Sequence, residues 1–137
     1  MMRAVPLPID PSDEAIFVAV DRWIDDLARG DYDSAFVRTE HDSYFGWTVE
    51  LLRRVIEGYG LPEPHPTGTV FAVTPRLTAT GGPPTRVVDR SPREQDRLPH
   101  ARYDLPLNGK WSDLTATFRV DARGDHSVLV LEEIHVF

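Results

Sequence analysis

The chain reads as an α+β domain, with N-terminal helices packed on a curved, mostly antiparallel β-sheet. Three observations predict this class. Apolar residues recur at helical spacing through the first 60 residues, and from Thr69 the pattern shifts to that of strands. Between the two lies Leu61–Gly68 (LPEPHPTG), whose spaced prolines suit neither a helix nor a ladder strand. At 137 residues the chain fits one domain, 1–137. Residues 1–11 are then an N-terminal extension, 12–60 the helical part and 69–137 the sheet, interrupted by a Pro/Arg-rich loop at about 81–100.

The first helix is expected to start at Asp10-Pro11, with Asp10 as N-cap, Pro11 in the first turn, and Asp13 and Glu14 favoured by the helix dipole. Ile16, Val20, Trp23 and Leu27 form its apolar stripe, widened by Phe17 and Ile24, and Gly30 stops it. A short second helix is predicted over Asp33–Arg38, burying Ala35 and Phe36. The third starts near Asp42 or Ser43, buries Phe45, Leu51, Leu52, Val55, Ile56 and Tyr59 with Trp47 near the stripe, and ends at Gly60.

Thr69–Thr80 is rich in β-branched residues and predicts a strand, with Pro75 marking an edge or bulge. Gly81-Gly-Pro-Pro84 is a turn and Thr85–Val88 a short return strand. Asp89–His100 has almost no apolar content and reads as an exposed loop. Three strands follow, Ala101–Leu107, Trp111–Val120 and Ser127–Val136. Asn108-Gly109 predicts a type I′ hairpin between the first two, and Ala122–Asp125 a turn between the others.

Composition excludes several classes of function. With no Cys there is no thiolate chemistry, disulfide framework or Cys-ligated zinc. A net charge of −7 argues against nucleic acid as partner. No apolar run is long enough for a membrane span, and the N-terminus has no signal-peptide pattern, so a cytoplasmic location is expected. The five His show no metal-ligand spacing, and no phosphate loop or nucleophile elbow is present. No metal or cofactor is implied. The acid surplus lies in the helical half, with thirteen acids against six bases over residues 1–67.

Hairpin parity places Tyr103, Leu105, Ser112, Leu114, Ala116, Phe118 and Val120 on one sheet face, with Arg102, Asp104, Asp113, Thr115, Thr117 and Arg119 on the other. Pairing is expected to bring Tyr103 opposite Leu114 and Leu105 opposite Ser112. Val128–Leu131 is apolar at every position and reads as a strand buried on both faces. Simple alternation then sends one of Glu132 and Glu133 inward. In the favoured register, with a two-residue turn at Arg123-Gly124, Glu133 and His135 face inward with Tyr103 and Ser112. In the other register Glu132 does. An inward carboxylate on an apolar wall has a raised pKa and suits general acid or base work. A second polar cluster, Glu40–Tyr44, offers His41 as a base oriented by Asp42.

The element order, with Gly30-Asp31-Tyr32 and Asp33-Ser-Ala-Phe36 opening the second helix, resembles the NTF2-like (SnoaL-like) cone-shaped α+β superfamily. Ala28–Phe36 (ARGDYDSAF) is similar to that family's usual join between its first two helices, and the resemblance covers about residues 12–137. It implies a curved sheet whose helices close a conical cavity, often assembled as a homodimer through the sheet. Catalytic members (ketosteroid isomerases, scytalone dehydratases, polyketide cyclases) place Asp, His and Tyr inside that cone, but no residue transfers to this chain by motif. Trp23, Trp47, Tyr59, Tyr103, Ser112, Leu114 and Phe118 would line such a cone. Three functions are therefore expected in turn. The first is a small apolar ligand in the cone, or a homodimeric interaction module. The second is a cofactor-independent isomerase, dehydratase or cyclase using Glu133 (or Glu132), with Tyr103, His135 or His41 as hydrogen-bond donors. The third is a bacterial immunity or accessory protein meeting a basic protein partner. An apolar cavity would favour the first two, whereas a core filled by Trp and Phe rings would leave the third.

Overall fold

Helix α1 (Asp13–Ala28) begins two residues later than Asp10-Pro11 suggests, because Ser12 is the cap that closes it. The Ser12 hydroxyl oxygen accepts from the Ala15 amide at 3.1 Å, and Asp13 and Glu14 occupy the first turn. Gly30, at φ 74°, turns the chain out of the helix as expected. Helix α2 (Tyr32–Arg38) is capped by Asp31 rather than opened by Asp33; the Asp31 carboxylate accepts from the Ser34 amide at 3.0 Å. The computed structural model describes residues 4–90 and 99–136. Most of the loop predicted at Asp89–His100 lies outside the described residues.

Helix α3 (Val49–Glu57) starts at the Thr48 cap, well after Asp42 and Ser43, since Ser43–Gly46 forms turns. Its end is a Schellman motif in which the Gly60 amide donates to the Val55 carbonyl at 2.8 Å. Tyr59, at φ 55°, holds the left-handed position usually given to Gly. Gly58 is required for another reason: the carbonyl oxygens of Leu61 and Glu63 occupy the space a Cβ would need.

Two short strands absent from the sequence reading, β1 (Leu7–Pro8) and β2 (Glu40–His41), attach to the free edge of the C-terminal strand. The other strands are β3 (Arg86–Asp89), β4 (His100–Leu107), β5 (Lys110–Arg123) and β6 (His126–Val136). Their order is β1-β6-β5-β4-β3, with β2 parallel to β6 and every other pair antiparallel. The strand expected over Thr69–Thr80 does not form. That segment touches the hairpin only through isolated bridges at Val73 and Thr80 and a few loop bonds, such as Thr74 N–H to the Pro106 carbonyl at 3.0 Å. The predicted return strand does form, as β3, and its ladder partner is β4.

Asn108 and Gly109 both have positive φ, 50° and 85°, as a type I′ turn demands. Beyond it, a bulge near Leu105 pairs Tyr103 with Ala116 instead of Leu114. The displacement is by two residues, so it leaves every side chain on its expected face. Tyr103, Leu105, Leu114, Ala116, Phe118 and Val120 therefore form the inner wall of a curved sheet that the helices cover. Asp26 ties the helical layer together: buried at 1% exposure on α1, it accepts from the guanidinium groups of both Arg29 and Arg38.

Candidate functional site

The last strand departs most from simple alternation. Phe118 pairs with Leu131 but Thr117 pairs with Glu133, which leaves Glu132 as the extra residue of a β-bulge. Parity therefore resets after Leu131. Ile134, opposite Ala116, takes the inner position at 4% exposure. Glu133 and His135 stand opposite Thr117 and Thr115, on the outer face. The expectation that alternation turns one glutamate inward is corrected. A bulge keeps the apolar run in register while both carboxylates stay off the apolar wall, where an unpaired charge is expensive. The turn also shifts: Arg123 pairs with His126, so the two linking residues are Gly124 and Asp125 rather than Arg123 and Gly124. The Trp47 indole N–H donates to the Glu132 carbonyl at 3.0 Å and holds the bulge from outside the strand.

Beside the bulge, β2 delivers Asp42. Its amide donates to the Leu131 carbonyl at 2.9 Å. Its carboxylate accepts from the Tyr44 amide at 2.8 Å and from Arg119 at 2.5 Å. The Tyr44 amide, and after it Arg119, hold the Asp42 carboxyl below the ordinary carboxylate range. Arg119 also lies 3.2 Å from Asp121 and 3.8 Å from Glu132, whose other oxygen is 3.8 Å from His100 Nε2. Arg123 bridges Asp121 and Glu40, the latter at 2.5 Å. A ladder of alternating charge thus runs along the outer face from Glu40 to Glu132. It ends at a cleft of about 620 Å³ bordered by Asp42, Tyr44, Phe45, Arg102, Glu132 and Glu133. Tyr44 is 84% exposed and Phe45 42%, packed edge-on at 4.9 Å, with Trp47 6.0 Å behind Phe45.

The structure does not join His41 to Asp42. Adjacent residues of an extended segment point to opposite sides. His41 therefore stacks on Phe36, ring centroids 3.9 Å apart, with Nε2 3.3 Å from the Thr39 hydroxyl. Burial pushes its pKa below the usual histidine value, opposed by a backbone hydrogen bond to Phe36 and by Glu40. The depressed value fixes the sign of a pH effect. Between the folded pKa and about 6.5 the unfolded chain binds the extra proton, so stability present above pH ~6.5 is lost as pH falls. Urea unfolding at pH 7.5 and pH 5.5 is expected to show this loss, reduced in His41→Gln. An equal loss in that variant would assign the effect elsewhere.

The residues expected to line a cone are packing partners. Trp23 and Phe118 meet edge to face at 5.1 Å, and Leu114 is fully buried with them. Tyr103 is 1% exposed, lies edge-on to Phe17 at 6.0 Å, and donates its hydroxyl to Asp21. Burial first, and Asp21 after it, drive its pKa far above that of a free phenol, so the hydroxyl stays protonated and engaged. The Ser112 hydroxyl donates to the Leu105 carbonyl at 2.7 Å. Tyr59 donates to Asp113 and packs on Phe71 at 4.8 Å. Trp47 serves the bulge. None of the seven borders the outer-face cleft. His135 and Glu133 remain neighbours, with Nδ1 3.2 Å from the carboxylate, but on the outer face.

Sequence reasoning named Tyr44 only as the end of the Glu40–Tyr44 cluster and expected Phe45 to be buried in the third helix; that expectation is corrected, since α3 starts at Val49 and Phe45 stands 42% exposed in the turn before it. It missed the roles of Arg119 and Arg123. The signals were present as three aromatics in Tyr44–Trp47 around Gly46, and as Arg119-x-Asp121-x-Arg123 on the polar parity. Compared with known proteins, the chain matches no family model, and no curated protein or solved structure matches it. No helix among the described residues is long and apolar enough to cross a membrane.

Proposed function

We propose that this chain is a protein-interaction module of NTF2-like architecture, meeting its partner through the outer face of the sheet around Tyr44 and Phe45. One observation carries the reading. The rings that would line a hollow cone, those of Trp23, Tyr103 and Phe118, are buried to within 1%. The aromatics Tyr44 and Phe45 instead stand in solvent at a cleft on the opposite face. Exposed tyrosine beside charged groups is what interface hot spots are made of. Ligand capture in the cone would need space that these rings fill. Proton transfer at Glu132 or Glu133 would need a carboxylate on the inner wall, and the bulge turns both outward.

A photo-crosslinking amino acid at position 44 tests this in cells. The expected result is one discrete adduct, lost on adding Phe45→Ala, with none from the same label at Leu77, which is 88% exposed. An adduct of twice the chain mass identifies the partner as a second copy. The proposal is overturned if position 44 gives no discrete adduct, or gives the same products as position 77.

A further inference from the structure

We infer that Asn108 is a site of spontaneous chemical modification, held latent by the loop segment Val70–Thr74 and released when that segment lifts from the β4–β5 hairpin. The inference stands apart from the interaction reading above. Asn108 is the chain's only asparagine, and Gly109 follows it. In such a pair no side chain hinders the glycine amide nitrogen, which loses its proton to a solvent base and attacks the asparagine Cγ. The N–Cγ bond forms, the Cγ–Nδ2 bond breaks, and Nδ2 leaves as ammonia. Water then opens the cyclic imide at either carbonyl. One opening gives aspartate, the other isoaspartate, with the backbone rerouted through Cγ.

Two features of the fold oppose the first step. The first is the turn. At φ 50° Asn108 lies in the left-handed region, where the next amide nitrogen is anti to Cβ across the Cα–C bond. Closing the ring needs a rotation that dismantles the type I′ turn. The second is a clamp from outside the hairpin. Asn108 Oδ1 accepts from the Ala72 amide at 3.0 Å, and Nδ2 donates to the Val70 carbonyl at 3.4 Å. The Asn108 amide donates to the Ala72 carbonyl at 3.0 Å, and the Gly109 amide, the nucleophile, to the Thr74 hydroxyl at 2.8 Å. Nucleophile and electrophile are therefore both held by Val70–Thr74. That segment meets the hairpin through an isolated bridge, Val73 to Leu107, so it opens at lower free energy than the sheet. The change is one-way. Aspartate at 108 has no donor for the Val70 carbonyl, and isoaspartate adds a backbone methylene to a two-residue turn whose length sets the hairpin register. A chain so modified no longer seats Val73, now 3% exposed, against Leu107.

Peptide-resolved mass spectrometry of the whole chain, incubated at mildly alkaline pH, reads amide-to-acid conversion at position 108 and tests the inference. The folded protein is expected to convert more than about tenfold more slowly than the same chain unfolded in urea, because only the open fraction reacts. Thr74→Ala is expected to speed conversion of the folded protein about fivefold, the weight of one hydrogen bond. Thr74→Ser, which keeps the hydroxyl, should convert at the parent rate, as should Leu77→Ala, whose side chain is 88% exposed in the same loop. Modified protein, separated by its added negative charge, is expected to show faster amide hydrogen exchange over Val70–Thr74. Equal rates in the folded and the urea-unfolded chain overturn the inference. So does a folded Thr74→Ala that converts no faster than the parent. If Thr74→Ala does not fold, the ratio of folded to unfolded rates in the parent decides alone. Unchanged exchange in the modified protein overturns the one-way release.

Discussion

Trp23→Ala is expected to destabilise the protein by about 4 kcal/mol, the upper range for loss of a large buried ring. Trp23 has no exposed surface, meets Phe118 edge to face, and lies on the α1 stripe with Ile16, Val20 and Leu27. Its removal leaves a void between helix and sheet that neither rigid layer closes. Because a domain of this size has about 5–15 kcal/mol of total stability, Trp23→Phe is the informative companion. The indole N–H of Trp23 has no acceptor among the described residues, so the phenyl ring removes an unsatisfied donor along with some volume. Urea denaturation should rank Trp23→Phe much closer to the unaltered protein than to Trp23→Ala. Small apolar compounds should raise the melting temperature of Trp23→Ala and leave that of the parent unchanged. A Trp23→Ala loss below about 1 kcal/mol would mean the cone is not packed.

The second large effect concerns Asp26, and it is asymmetric. Its carboxylate is buried at 1%, while the side chains of its partners Arg29 and Arg38 are 62% and 29% exposed. Removing both arginines strands a buried charge and is expected to destabilise by about 3–5 kcal/mol. Asp26→Asn removes the charge itself and leaves arginines that reach water, so about 2 kcal/mol is expected, the value of hydrogen bonds to a charged group. The measurement is a pair of chemical denaturation curves at neutral pH for Arg29→Ala/Arg38→Ala and for Asp26→Asn. Equal losses, or a larger loss in Asp26→Asn, would overturn the assignment of Asp26 as the buried member.

What the sequence made legible follows the range of the interactions involved. The α1 stripe, the Asn108-Gly109 turn and the two faces of the β4–β5 hairpin depend on neighbours a few residues away, and periodicity reports them. Ser12, Asp31 and Thr48 displaced the expected caps by several residues at most, because several candidate caps stood side by side and only packing chooses among them. The β-branched run at Thr69–Thr80 carried strand propensity without a strand, since no continuous ladder partner reaches it. β1 and β2 were invisible for the opposite reason. Two residues carry no period, and their pairing with β6 spans some 90 to 120 residues of chain. The candidate site lay beyond reach for the same cause. A single unpaired residue at Glu132 reverses the parity of everything after it, and nothing in Leu-Glu-Glu-Ile says where the bulge falls.

The position of β6 in the sheet bears on how the protein is made. This strand joins β1, β2 and β5, yet follows all of them in the chain. During synthesis β1 and β2 therefore wait, edge groups unpaired, until Val128–Leu131 emerges, and that run is the most apolar and β-prone segment of the sheet. Closure depends on pairings of high contact order and is correspondingly slow, so the adhesive strand stays exposed until those pairings form. The outward glutamates that immediately follow Leu131 act here as gatekeepers, placing two like charges beside the segment that would otherwise pair with a neighbouring chain.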